Sequence, residues 1–179
     1  RDDLTGLATG GNKARKLEYT VAQAIADGAT ALVTTGALQS NHARSVAAAA
    51  RIAGLRCVLI LTGEPKRPEG NLVLDHLLGA TIQFIPEASS GFSPGKQNPN
   101  EVEAVERTLA ELKGASEVPY LVPLGASDAI GTVGYVEAAR EMEEQLQRAD
   151  ATATRVYVGA GTRGTQAGLV LGGRIVGAS

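Results

Sequence analysis

Residues 31–61 read ALVTTGALQSNHARSVAAAARIAGLRCVLIL, and this stretch decides the fold. Ala31–Thr35 is a short run of small, apolar and β-branched residues, the pattern of a strand. Ser40 or Asn41 then caps a helix whose small residues Ala43, Val46, Ala47, Ala50 and Ala53 fall on one stripe. Gly54 ends that helix. Arg56–Leu61 is a second strand, and its apolar run is continuous rather than alternating, as in a sheet covered on both faces. Strand, helix and strand in succession make a βαβ unit with parallel strands and a right-handed crossover.

The alternation continues outward from that unit. Gly70–Leu78 reads as a helix and Thr81–Ile85 as a strand. Pro86–Asn100, rich in Ser, Gly, Pro and Asn, reads as a loop. Glu101–Lys113 is a charged helix, Tyr120–Val122 a short strand, and Gly131–Ala149 a helix with a solvated acidic and basic face. Arg155–Val158 is expected to be a strand, followed by a glycine turn and a helix from about Gln166. No internal repeat is present. The fold class is α/β, with open parallel sheets and flanking helices. In such sheets ligands bind at the carboxyl ends of the strands.

Composition narrows the partners. The 179 residues are 44% hydrophobic and 20% charged, the balance of a soluble globular domain. A net charge of −2 gives no electrostatic footprint for nucleic acid or a membrane surface. With 3% aromatics and no tryptophan there is no stacking platform for bases. No apolar run is long enough to span a bilayer, no signal-peptide pattern stands at the start of the sequence, and no metal site is read. Cys57 is the single cysteine and lies inside an apolar strand, so a buried small hydrophobe is its expected role. A reducing cytoplasm is the expected compartment. The chain begins at Arg1 and stops at Ser179 after an apolar helical stretch, which reads as a fragment.

Three motifs fall at strand-to-helix turns or helix starts, placed to converge on one cleft. In the first, Gly10-Gly11-Asn12-Lys13-Ala14-Arg15-Lys16, a lysine follows two glycines at a helix start. The free N–H groups and positive dipole end there lower an amine's pKa. Such a lysine is nucleophilic and forms Schiff bases with aldehydes. Lys16 lies three residues on, suited to holding an anion. Ordinary surface lysines are the plain alternative.

The second motif is Gln39-Ser40-Asn41-His42. A helix cap explains one of these residues but not four polar ones between apolar segments; a helix start with Ser, Asn and free N–H groups is a carboxylate site. The third is Gly159-Ala160-Gly161-Thr162-Arg163-Gly164-Thr165. Its G-x-G-x-x-G spacing alone would admit a dinucleotide. The two threonines instead suit a cup for one phosphate. A Schiff-base lysine, a phosphate cup and a carboxylate site together are what pyridoxal phosphate and an amino acid require.

GGNKARKLEY (10–19) and QSNHAR (39–44) resemble signatures of the 1-aminocyclopropane-1-carboxylate deaminase / D-cysteine desulfhydrase family. These are fold-type-II pyridoxal-phosphate enzymes, the group that includes the tryptophan synthase β-subunit. Residues 1–6, Pro123–Asp128 with Gly131 and Gly134-Tyr135-Val136, and Gly161–Leu169 are also similar to family segments. The resemblance implies that Lys13 carries pyridoxal 5'-phosphate as a Schiff base and moves the substrate's protons, with Ser40 as the second catalytic residue. It implies that Lys16, Gly161, Thr162, Gly164 and Thr165 hold the phosphate. Asn41 would bond the ring's O3', and Ser40, Asn41 and His42 would receive the substrate. Arg163, Ala126 and Asp128 depart from the family pattern.

The resemblance further implies a lyase or deaminase of small amino acids. D-cysteine desulfhydrase-like activity, giving pyruvate, sulfide and ammonia, is the first reading; 1-aminocyclopropane-1-carboxylate deaminase is the alternative. A non-catalytic cofactor-binding fragment and a nicotinamide dehydrogenase using Gly159–Gly164 are the competing classes. Residues 30–150 are expected to form a smaller α/β domain. Residues 1–29 and 151–179 would be parts of a larger, incomplete cofactor-binding domain whose C-terminal portion is missing. A homodimer is implied by the resemblance alone.

Overall fold

The computed structural model describes residues 1–65, 67–87 and 98–177. Strands β1 (Ala31–Ala37), β2 (Arg56–Thr62), β3 (Thr81–Ile85) and β4 (Pro119–Leu121) form one sheet in the order β3-β2-β1-β4. All pairings are parallel. β1 runs beside β2 from Ala31↔Arg56 to Ala37↔Thr62, and β2 beside β3 from Val58↔Thr81 to Thr62↔Ile85. β1 meets β4 over a shorter ladder, Ala31↔Pro119 to Val33↔Leu121. The helices are α1 (Lys13–Ala26), α2 (Asn41–Ala53), α3 (Asn71–Leu77), α4 (Pro99–Gly114), α5 (Ala129–Arg148) and α6 (Gly164–Ile175).

Local chemistry sets these boundaries. Ser40 has extended backbone and its Oγ accepts from the Ala43 N–H at 3.1 Å, capping α2. Gly54 closes the same helix in the left-handed conformation. α4 starts two residues before the expected Glu101, because Asn98 accepts from the Asn100 N–H and Pro99 supplies a pre-set first turn. Within the loop read at 86–100, residues 88–97 lie outside the described residues.

Alternate strand residues face opposite layers. Leu32, Cys57, Leu59 and Leu61 join Leu17 of α1, Val46 and Ala50 of α2, and Leu72 of α3 in one buried cluster. Val33, Val58, Ile60 and Ile85 pack on the other side with Ala104 and Leu112 of α4. Coverage on both faces is why β2 reads as an unbroken apolar run. Cys57 is buried and free, and burial pushes its thiol up to about 12, as suits a small hydrophobe.

Arg155–Val158 is not a strand, which corrects the sequence expectation. Its apolar, β-branched composition gives strand propensity, but a strand exists only in a ladder. Among the described residues nothing pairs with this segment, and Tyr157 is 86% exposed.

α5 packs against both α1 and α6 through small residues. A Cβ on Gly134 would strike the Arg15 carbonyl, and one on Gly172 would stand 2.6 Å from the Ala139 Cβ. Among the described residues no helix is long and apolar enough to cross a membrane. From β1 the chain moves outward to β2 and β3, then returns to β4 on β1's other side. The direction of winding therefore reverses between β1 and β4, and the crevice at their carboxyl ends is the switch point.

Candidate active site

A cleft of about 320 Å³ opens at that switch point. Ser40, Asn41 and His42 at the start of α2 form one wall, and Leu124 and Gly125, just after β4, form another. Asn12 and Lys13 enter from the start of α1. Gly161, Thr162, Arg163 and Thr165 close it from the start of α6. The three sequence motifs therefore meet in one place.

Lys13 is the first residue of α1, and its Nζ donates to Asn12 Oδ1 at 2.8 Å. Its pKa is lowered, as the motif suggests, with burial as the cause. The approach to Lys13 is strained: Ala8 and Thr9 both have positive φ, and Gly10 follows at φ 78. A Cβ on Gly10 would lie 2.5 Å from the Asp3 carbonyl oxygen, so glycine is required there.

Lys16 is buried behind the cleft rather than lining it. Its Nζ donates to Ser127 Oγ at 2.9 Å and to the Gly125 carbonyl at 3.2 Å. Burial, then the charge of Lys13, lowers the amine to about 8, with Asp128 pulling the other way. The amine reaches the third motif through Gly164, where a Cβ would be 2.9 Å from Lys16 Nζ and 2.7 Å from Ser127 Oγ. Ser127 Oγ also lies 2.6 Å from Thr162 Oγ1. Thr165 Oγ1 accepts from Asn12 Nδ2 at 3.1 Å, linking the loop to the lysine's neighbour. An ammonium buried without an ion-pair partner among the described residues, beside the N–H groups opening α6, is what a phosphate would satisfy. The residues present therefore fit a phosphate-bearing aldehyde. Among the described residues no cluster of His, Cys, Asp and Glu is arranged to hold a metal ion.

The α2 wall is equally ordered. Ser40 Oγ accepts from the helix and keeps its own proton to donate. Asn41 Oδ1 accepts from Arg44 Nη1 at 3.0 Å and from Asn71 Nδ2 at 2.9 Å. His42 is 4% exposed, with Nε2 2.9 Å from Thr34 Oγ1. Burial lowers it to about 3, and the charges of Lys13 and Lys16 add to the effect. Its Nδ1 is buried without a partner among the described residues.

Sequence reasoning missed Asn12, whose amide joins Lys13 to Thr165; its place beside Lys13 was the available signal. Ser127 belongs to the site through Lys16 and Thr162, while Asp128 caps α5 by accepting from the Gly131 N–H at 2.8 Å. Arg163 stands at φ 66, a left-handed conformation uncommon for a side-chain-bearing residue.

The chain matches the family described as pyridoxal-phosphate dependent enzyme over residues 1–174. It is 40% identical over 178 residues to the D-cysteine desulfhydrase of Serratia proteamaculans, covering 96% of this chain and 51% of that protein. The crystal structure of an ACC deaminase homologue superposes with a TM-score of 0.81 at 37% identity, over 99% of this chain and 51% of the other. The crystal structure of a hydrogen sulfide-producing enzyme from Fusobacterium nucleatum shares the fold, with a TM-score of 0.69 at 18% identity over 96% and 48% of the two chains. The chain spans about half the length of the curated relatives it matches.

Proposed function

Because the chain belongs to the family of pyridoxal-phosphate dependent enzymes, we propose that its cleft holds pyridoxal 5'-phosphate and serves a lyase or deaminase of small amino acids. D-cysteine is the favoured substrate, giving pyruvate, sulfide and ammonia with uptake of water. The observation that carries this reading is the Lys13 amine, lowered in pKa and facing the same cleft as the starts of α2 and α6. The 40% identity to a D-cysteine desulfhydrase supports the substrate, and the QSNHAR motif, with His42, looks closer to the desulfhydrase-like members of the family. An equal 40% identity to a putative 1-aminocyclopropane-1-carboxylate deaminase of Pyrococcus abyssi, with the 37% identity to an ACC deaminase homologue, supports 1-aminocyclopropane-1-carboxylate as the second reading, on the same level of similarity.

Each residue has a task in this reading. Gly161, Thr162, Gly164 and Thr165 would hold the phosphate with the N–H groups of α6, and Lys16 would supply positive charge from beneath. Asn41 would donate to the ring's O3'. The Ser40 hydroxyl and the N–H groups opening α2 would orient the substrate carboxylate, with His42 a neutral wall beside it. Pyridoxal phosphate, when bound, supplies an aldehyde for amines and a ring that accepts electrons from a breaking bond. Lys13 Nζ, held by Asn12, would take and return the proton at the substrate's Cα.

The division into units belongs to the same proposal. We read the sheet with α2, α3 and α4 as the smaller unit. The packing of α5 on both α1 and α6 argues for ending that unit near residue 128 rather than 150. A cytoplasmic homodimer completes the reading, by likeness to the family.

The test is an absorbance titration with pyridoxal phosphate, before and after borohydride, on this chain and on a form extended to the relatives' length. A visible band whose reduced adduct maps to Lys13, lost in Lys13→Ala, is the expected result. Sulfide with pyruvate from D-cysteine supports the favoured substrate; a 2-oxo acid and ammonia from the cyclopropane amino acid alone supports the second. No band from either form sinks the proposal.

A further inference from the structure

We propose that Asn71 and Arg44 are positioning residues that fix which way the Asn41 side-chain amide faces, keeping its Nδ2 donor available to the cleft. The inference deepens the reading above and rests on it for the ligand that the donor meets.

Arg44 is buried in α2, three residues from Asn41. A guanidinium donates hydrogen bonds and never accepts them. Its Nη1 faces Asn41 Oδ1 at 3.0 Å and Asn71 Oδ1 at 2.9 Å. Both amides must therefore turn oxygen towards it. With its oxygen on Arg44, Asn71 directs Nδ2 at the Gln39 carbonyl and at Asn41 Oδ1, each 2.9 Å away. Asn41 Oδ1 thus receives two donors. Reversing the Asn41 amide would set N–H against N–H at both contacts, so the flipped state is excluded by repulsion rather than by shape. Asn41 Nδ2 makes no hydrogen bond among the described residues, and Asn41 lines the cleft.

The polarity thus runs from Arg44 through Asn71 to Asn41 and ends in an unspent donor at the cleft. That donor selects an acceptor, such as an anionic ring oxygen, over a hydroxyl that must itself donate. Arg44 Nη2 also donates to the Gly10 carbonyl at 3.3 Å, so the same side chain ties this wall to the loop that delivers Lys13. Gln39 holds Asn71 from a second side, its Oε1 accepting from the Asn71 N–H at 2.9 Å.

Asn71→Asp is the discriminating variant. It keeps an acceptor for Arg44 and removes the donor to Asn41. Its carboxylate repels Asn41 Oδ1 and attracts Nδ2, against the single Arg44 contact that remains, and so favours the reversed amide with its oxygen towards the cleft. Affinity for pyridoxal phosphate, read by absorbance titration, is expected to fall about tenfold in the native background and less than about twofold in an Asn41→Ala background. Unchanged affinity in the first background, or equal losses in both, overturns the proposal. A second readout needs no cofactor. In ¹⁵N spectra of the free chain, the side-chain NH₂ of Asn71 is expected to be protected from exchange and that of Asn41 not, and Asn71→Asp should protect Asn41. If pyridoxal phosphate does not bind the native chain, the proposed function fails while this pattern still decides the amide's orientation. An Asn41 NH₂ already protected in the native chain overturns the inference.

Discussion

His42 donates from Nε2 to the hydroxyl of Thr34, 2.9 Å away. The direction follows from the hydroxyl's single proton, which Thr34 gives to the Val122 carbonyl at 2.8 Å. The ring is therefore the Nε2–H tautomer, with a bare, buried Nδ1.

The first prediction concerns that ring. Its pKa is lowered from 6.5 to about 3, chiefly by burial. The unfolded chain binds the proton first, so the stabilisation is present above pH 6.5 and is lost as pH falls towards 3. Histidine ¹⁵N shifts should report the neutral Nε2–H form at pH 5. Thr34→Val should cost about 1–3 kcal/mol in urea unfolding, because it strands the ring N–H. A cationic ring at pH 5 would refute the assignment.

Asp75 behaves in the opposite sense. It is fully buried, neither carboxylate oxygen has a hydrogen bond among the described residues, and burial raises it from 3.8 to about 6 against the pull of Arg44. The folded chain holds this proton more tightly, so the contribution is fully present below pH 3.8 and is lost as pH rises through about 6. Asp75→Asn is expected to stabilise the chain by about 1–2 kcal/mol at pH 7.5, a gain that shrinks towards pH 4. Denaturant melts at the two pH values check this, and a loss at pH 7.5 would contradict it.

Gly164→Ala tests the phosphate cup. The added methyl would sit 2.7 Å from Ser127 Oγ and 2.9 Å from Lys16 Nζ, so the side chains beneath the loop must retreat. Affinity for pyridoxal phosphate or inorganic phosphate should drop at least about tenfold, a loss near 1.4 kcal/mol. Circular dichroism should show α6 retained. Equal anion affinity in the variant would remove this loop from the site.

Arg163→Gly probes the strain in the same loop. A left-handed conformation costs an ordinary residue about 1–2 kcal/mol, partly offset by glycine's greater freedom when unfolded. A net stabilisation of about 0.5–1 kcal/mol is expected from urea midpoints. A destabilised variant would mean that the arginine side chain secures the loop.

The sequence and the structure agree where the chemistry is local. Ser40 and Gly54 mark the ends of α2 because a cap is satisfied within one turn, and β2 is apparent because five consecutive apolar residues, Cys57 to Leu61, are buried together. The meeting of Lys13, Ser40–His42 and Thr162–Thr165 was legible because each motif opens a helix. The role of Arg44 was not: it ends the QSNHAR motif, but Gly10 and Asn71, the residues it ties together, lie far from it along the chain. Arg155–Val158 failed for the complementary reason, since its residues describe a strand but cannot state whether a neighbour exists. The lowered pKa of Lys13 was legible in its direction from the helix start, while the burial behind it depends on the walls that other segments bring.

The short ladder between β1 and β4 makes the sheet a graded fastening. Separating β4 breaks three registered pairs, whereas β2 holds β1 through seven. The seam also divides the cleft, with Ser40–His42 on β1's side and Leu124 and Gly125 on the other. Thr34, bonded to His42 and to the Val122 carbonyl, is a latch across it. Among the described pairings the shortest ladder thus borders the cleft, and this edge is where the sheet is least fastened.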